Sequence, residues 1–140
     1  MEELVRAVHA TVQENRGGTV ADYIPQLAKM NPELFGIAAC AVDGTRVACG
    51  DADHPFCLQS TCKPLNYCLA RERGDVPVHA HVGHEPSGRS FNAHVLNPDG
   101  KPHNPMINAG AIMVCATIAP RAEPAERFEV VKTFLHRMAG

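Results

Sequence analysis

Residues 56–67 read "FCLQSTCKPLNY", a stretch that sets Ser60 and Lys63 three positions apart with Pro64 directly behind the lysine. Proline lacks the backbone N–H and is tolerated in a helix only within the first turn, where that donor has no intrahelical partner. A helix carrying this segment is therefore expected to begin at or very near Ser60. Positions i and i+3 share a helix face, which brings the Ser60 hydroxyl and the Lys63 amine within reach of each other. A serine hydroxyl is a poor nucleophile at neutral pH and needs an adjacent base. Lysine can be that base if desolvation lowers its proton affinity, and Phe56, Leu58 and Leu65 supply apolar neighbours. The start of a helix adds free N–H groups and a partial positive charge, favouring an oxyanion on a carbonyl attacked by Ser60. Acyl transfer through a covalent ester is the chemistry these features describe. By itself S-x-x-K also fits a capping serine followed by a solvated lysine. Tyr67, on the same face at i+7, suits either a proton shuttle or a core tyrosine with its hydroxyl bonded.

Upstream, Leu4, Val5, Val8 and Val12 recur at helical spacing and "NRGG" ends the pattern, predicting an opening amphipathic helix. Thr19 and Asp22 in "TVADYIPQLAK" have the form of a capping box, with a bend expected near Ile24 because Pro25 cannot sit deep in a helix. The run "GIAACAVDGTRVACG" is small and β-branched on both sides of Asp43-Gly44, predicting two antiparallel strands and a tight hairpin. Downstream, Arg71 to Pro105 is rich in Gly, Pro, His and Asn and reads as irregular chain. So long an irregular stretch is often functional. "AGAIMVCATIA", uniformly apolar and small, then predicts a buried helix packed closely against a neighbour and capped by Asn108. In "PAERFEVVKTFLHRMAG" Phe128, Val131, Leu135 and Met138 share one face, with Pro124 at the start and Gly140 at the end. Ending at a helix C-cap suggests a fragment of a longer domain.

The 140 residues suffice for one domain, and 45% hydrophobic with 20% charged residues indicates a globular chain. A net charge of −2 without a basic stripe argues against nucleic acid or an acidic membrane surface as partner. The longest uncharged stretch, 104–120, holds two asparagines and two prolines and is too short to span a bilayer. "MEELVRAVHA" is acidic and lacks the hydrophobic run of a secretory signal. The six cysteines form no C-x-x-C pair and sit in apolar stretches, as reduced core thiols do, favouring a reducing compartment. His79, His81, His84, His94 and His103 lack zinc-site spacing and read as solvated loop residues, so no metal is expected.

Four stretches in order, "VADYIPQLAKMNPELFGIAACAVDG", "GDADHPFCLQSTCKPL", "VGHEPSGRSFN" and "KPHNPMINAGAIMV", resemble the serine-dependent glutaminases, especially the animal kidney/liver type. The resemblance runs from about Gly18 to Gly140 and rests on residue matches, not on composition or periodicity. It implies an α+β, β-lactamase/transpeptidase-like fold of mixed helices with a small antiparallel sheet, present here as a single partial catalytic domain over residues 1–140. It also implies hydrolysis of L-glutamine to L-glutamate and ammonia without metal or organic cofactor. By similarity Ser60 is the nucleophile and Lys63 its base, Gln59 and the Ser60 backbone hold the amide carbonyl, and Tyr23 and Asn108 contact substrate. Glu85 to Leu96 matches a mobile segment linked in the family to oligomerisation and activation. Family members form dimers and tetramers, and the animal ones are typically mitochondrial, with a cytoplasmic location the alternative. A complete family domain is about twice this length, so the chain alone is expected to be inactive or nearly so. The alternative to a working glutaminase is a truncated product that associates with full-length subunits. Penicillin-recognising acyl-enzymes share S-x-x-K, but their S-D-N and K-T-G partners are absent.

Overall fold

Asp43-Gly44 turns the chain between two antiparallel strands, β1 (Gly36–Cys40) and β2 (Arg46–Gly50), paired from Gly36↔Gly50 to Cys40↔Arg46. The Gly44 N–H returns to the Ala41 carbonyl and the Ala41 N–H to Thr45. Gly44 has φ 86°, so the turn is a three-residue connection closed by a left-handed glycine. The Asp43 carboxylate accepts the Thr45 N–H at 2.9 Å, and that bond holds its pKa below the ordinary aspartate value.

This computed structural model describes all 140 residues, divided into two compact units, Met1–Cys57 and Leu58–Gly140. In the first unit the helix α1 (Glu2–Val12) lies on the hairpin. Ile37, Ala39, Val47 and Cys49 are half-buried and alternate with exposed neighbours, as a sheet covered on one face requires. Two strands give α1 a narrow platform: Val5 is buried, whereas Leu4, Val8 and Val12 stay exposed. The His9 ring stacks on Phe35 at 5.0 Å. No helix starts at Thr19, contrary to the capping-box expectation; one 3₁₀ turn, Leu27–Lys29, is all that forms. Pro25 drives Ile24 away from helical backbone and removes a donor, so the pattern cannot propagate. The bend at Ile24 does form, its carbonyl accepting the N–H groups of both Leu27 and Ala28.

The second unit is helical: α2 (Cys62–Arg73), α3 (Val78–His81), α4 (Asn108–Thr117) and α5 (Pro124–Ala139). A 3₁₀ turn over Gln59–Thr61 leads into α2, so helical winding starts beside Ser60 and Pro64 falls third in the α-helix, where its missing donor costs nothing. Gly74, with φ 63°, ends α2 by donating to the Ala70 carbonyl. Leu69, Ala70, Val78, Val82, Val114, Ile118, Ala119 and Phe134 form the core. The short helix α3 interrupts what the sequence presents as continuous loop; residues 82–107 beyond it hold a single bridge, Leu96↔Pro102.

Three expectations about burial are corrected. The helix α4 is buried on one side only, at Gly110, Val114 and Thr117, while Ile112 is 70% exposed. On α5 the buried stripe is Val130, Val131, Phe134 and Leu135, and Phe128 and Met138 face outward. The cysteines are all free and none is in the core; Cys40, Cys57 and Cys68 are exposed. In each case apolar residues ring the element on several sides, and the neighbour, not the pattern, selects the covered face. Pro124 at the first position and a reciprocal Glu123–Glu126 capping box start α5. No helix is long and apolar enough to cross a membrane.

Candidate active site

Gln59 has φ 48°, a left-handed backbone that a non-glycine residue adopts at a cost of about 1–3 kcal/mol. The strained peptide lies immediately before Ser60, which is exposed within the 3₁₀ turn. Strain of this kind persists only where the surroundings hold it, and it gathers at functional positions. Lys63, the second residue of α2, is half-buried, and its Nζ donates to Asn108 Oδ1 at 2.6 Å. A separation of 2.6 Å is at the short end of the hydrogen-bond range, so the amine is firmly held. It links two residues 45 positions apart that the sequence singles out separately. No hydrogen bond joins Ser60 Oγ to Lys63 Nζ: the long side chain runs to the acceptor on α4.

Asn108 was expected to cap α4. Instead it is the first residue of the helix, Ile107 occupies the cap position, and no side chain caps there. The Asn108 side chain is committed to Lys63, and its own N–H goes to the Phe91 carbonyl at 2.9 Å. Phe91 lies in the segment Glu85 to Leu96, so that segment is tied by its backbone to the residue that takes the lysine.

One turn along α2 from Lys63, the half-buried Tyr67 places its hydroxyl 2.8 Å from His79 Nε2 and packs against the core. His79 Nδ1 lies 3.0 Å from the Val82 carbonyl, which can only accept, so Nδ1 carries the proton and Tyr67 donates to Nε2. His79 also meets His84 edge to face at 5.5 Å. It is therefore a packed, doubly bonded residue and not the solvated loop histidine the sequence suggested. His81, His84 and His94 are exposed, and no group of three or more His, Cys, Asp or Glu is arranged to hold a metal ion.

Asn66 escaped the sequence reading. It is 9% exposed, its Nδ2 contacts Cys115 Sγ at 3.5 Å, and its buried Oδ1 has no partner. Burial raises the Cys115 thiol pKa. The available signal was an asparagine three residues after Lys63, among positions that otherwise face the core. Gln59 is exposed beside Ser60. Tyr23 belongs to the first unit, where it is 75% exposed on the bend before Pro25.

The family model for glutaminase matches residues 18–140. Among curated relatives, the mouse "Glutaminase liver isoform, mitochondrial" is 47% identical over 137 residues, covering 97% of this chain and 23% of its own length. The glutaminase of Corynebacterium efficiens is 42% identical over 144 residues, covering 99% of this chain and 33% of its own. A solved structure, "Probable glutaminase ybaS", superposes with a TM-score of 0.88 at 33% identity, over 99% of this chain and 46% of that one. The chain thus spans 23% to 46% of the length of these proteins. Helices with a small antiparallel sheet are the β-lactamase-like α+β class expected, of which the chain holds a portion. With the family model covering residues 18–140 and the likeness in coordinates running along the whole chain, the protein belongs to the glutaminase family.

Proposed function

We propose that this chain supplies the nucleophile side of a site that hydrolyses L-glutamine to L-glutamate and ammonia. The neutral Lys63 amine takes the Ser60 Oγ proton as Oγ attacks the γ-carboxamide carbon. The oxyanion is held by backbone N–H, that of Ser60 in the 3₁₀ turn ahead of α2, beside Gln59. Collapse breaks the C–N bond, and the leaving nitrogen takes the proton that Lys63 has just accepted and departs as ammonia. Water then cleaves the γ-glutamyl ester, its hydroxyl going to the acyl carbon and its proton, by way of Lys63, to Oγ, and glutamate is released. Asn108 orients the lysine and contacts substrate. The observation that carries this reading is the 2.6 Å bond from Lys63 to Asn108, which anchors the amine within the unit that bears Ser60. Strain at Gln59 supports it independently. A homo-oligomer and a mitochondrial location belong to the same proposal, the latter from the printed name of the mouse relative.

A second reading rests on the span, 23% of the mouse isoform: the chain is inactive alone and acts by associating with full-length subunits. Ammonia release from L-glutamine, measured with and without full-length glutaminase, separates the two. Release by the chain alone that disappears in both Ser60→Ala and Lys63→Ala supports the first. Silence alone, with co-purification of full-length subunits, supports the second. Release unaffected by Ser60→Ala removes the proposed mechanism.

A further inference from the structure

The turn that leads into α4 is built around one side chain. Asn104 Oδ1 accepts the N–H of Met106 at 3.0 Å and of Ile107 at 3.1 Å, closing the backbone just ahead of Asn108. Its Nδ2 donates to the Glu85 carbonyl at 2.9 Å, fastening the turn to the neighbouring segment 83–85. That segment runs beside the turn through Gly83 N–H to Pro102 and Glu85 N–H to His103, at 2.8 and 3.0 Å. The Asn104 main chain is equally constrained: a Cβ at Gly110 would fall 1.8 Å from its carbonyl oxygen, so α4 lies directly against it. Side chain and carbonyl together fix where the first residue of α4 emerges, and that residue is Asn108.

We propose that Asn104 is a positioning residue for the candidate site: by accepting two successive N–H groups it aims Asn108 Oδ1 at the Lys63 amine. Asn104 touches neither Lys63 nor Ser60 through any hydrogen bond in the structure, so it acts through Asn108. The proposal rests on the reading that the Lys63–Asn108 contact organises the site.

The test is competitive acetylation of the folded chain with acetic anhydride, reading the rate at Lys63 against exposed Lys29 by mass spectrometry. Amide exchange of α5 serves as the control for global loosening. Asn108→Ala removes the acceptor and should raise the Lys63:Lys29 ratio about tenfold, the upper scale of one net hydrogen bond. Asn104→Ala should raise it comparably with α5 exchange unchanged. If the alanine variant does not fold, Asn104→Gln decides, because it keeps the amide but its longer arm misplaces both acceptor contacts. Asn104→Asp retains the acceptor oxygen, loses the donation to Glu85, and should restore the native ratio. A folded Asn104→Gln within about twofold of the native ratio, beside a raised Asn108→Ala, overturns the positioning role alone. An aspartate variant as reactive as the alanine variant also overturns it, assigning the effect to the Glu85 bond. If Asn108→Ala itself leaves the ratio unchanged, the contact does not protect the amine, and both this role and the site reading beneath it fall.

Discussion

Tyr67 donates its hydroxyl proton to His79 Nε2 at 2.8 Å, and the Val82 carbonyl holds the proton on the opposite nitrogen of that ring. The pair joins α2 to α3 one helical turn beyond Lys63. At neutral pH, nitrogen NMR should therefore find His79 protonated at Nδ1 and bare at Nε2. Tyr67→Phe leaves Nε2 half-buried without its donor and should cost about 0.5–1.5 kcal/mol in denaturant unfolding. Equal population of the two tautomers would contradict the assignment.

Two glycines of the second unit should respond to alanine for opposite reasons. Gly74 has open space around a Cβ but a left-handed φ of 63°, so Gly74→Ala should lose about 1 kcal/mol through backbone strain. Gly110 sits inside α4, where alanine is the better helix former. The Asn104 carbonyl nevertheless stands where its methyl group would go, and Gly110→Ala should destabilise by about 1–3 kcal/mol or more. Chemical denaturation of both variants checks the ranking. A stabilised Gly110→Ala would mean that α4 does not approach the turn as described.

Phe134 and Phe128 distinguish the two readings of α5. Phe134 is 5% exposed in the core with the Arg137 guanidinium over its ring, and Phe134→Ala should cost about 3–5 kcal/mol. Phe128 is 64% exposed, and Phe128→Ala should stay within about 0.5 kcal/mol in the isolated chain. The stripe written in the sequence predicts the reverse order for Phe128, so thermal or denaturant unfolding of the two variants decides between them.

Asp75 carries a pH dependence. The bond from the Arg73 guanidinium is the main cause holding its carboxyl below the ordinary 3.8, with a smaller contribution from the Ala119 N–H. A carboxylate with a lowered folded pKa adds stability that is present above the unfolded value and lost as pH falls through the folded one. Stability should therefore decline on acidification below about 3.8, and Asp75→Asn should lessen that decline. The side chain is substantially solvated, so the effect should shrink with added salt. An unchanged acid limb in Asp75→Asn would rule the contribution out.

The sequence by itself determined the features whose causes are local, together with the family. Pro64 confines the start of a helix, Pro124 begins α5, and the Asp43-Gly44 hairpin joins two strands. Each follows from backbone torsion or from a donor satisfied within a few residues. Four ordered signatures carried the family because identity along a chain needs no coordinates. Only tertiary structure decided which apolar faces are covered, since Phe134, not Phe128, is buried, and which polar groups meet. Nothing local sends Lys63 to Asn108, frees Asn108 from capping, or brings Tyr67 to His79. Those pairings close loops of 12 to 45 residues, and a long-range contact is selected by the packing that brings its two elements together.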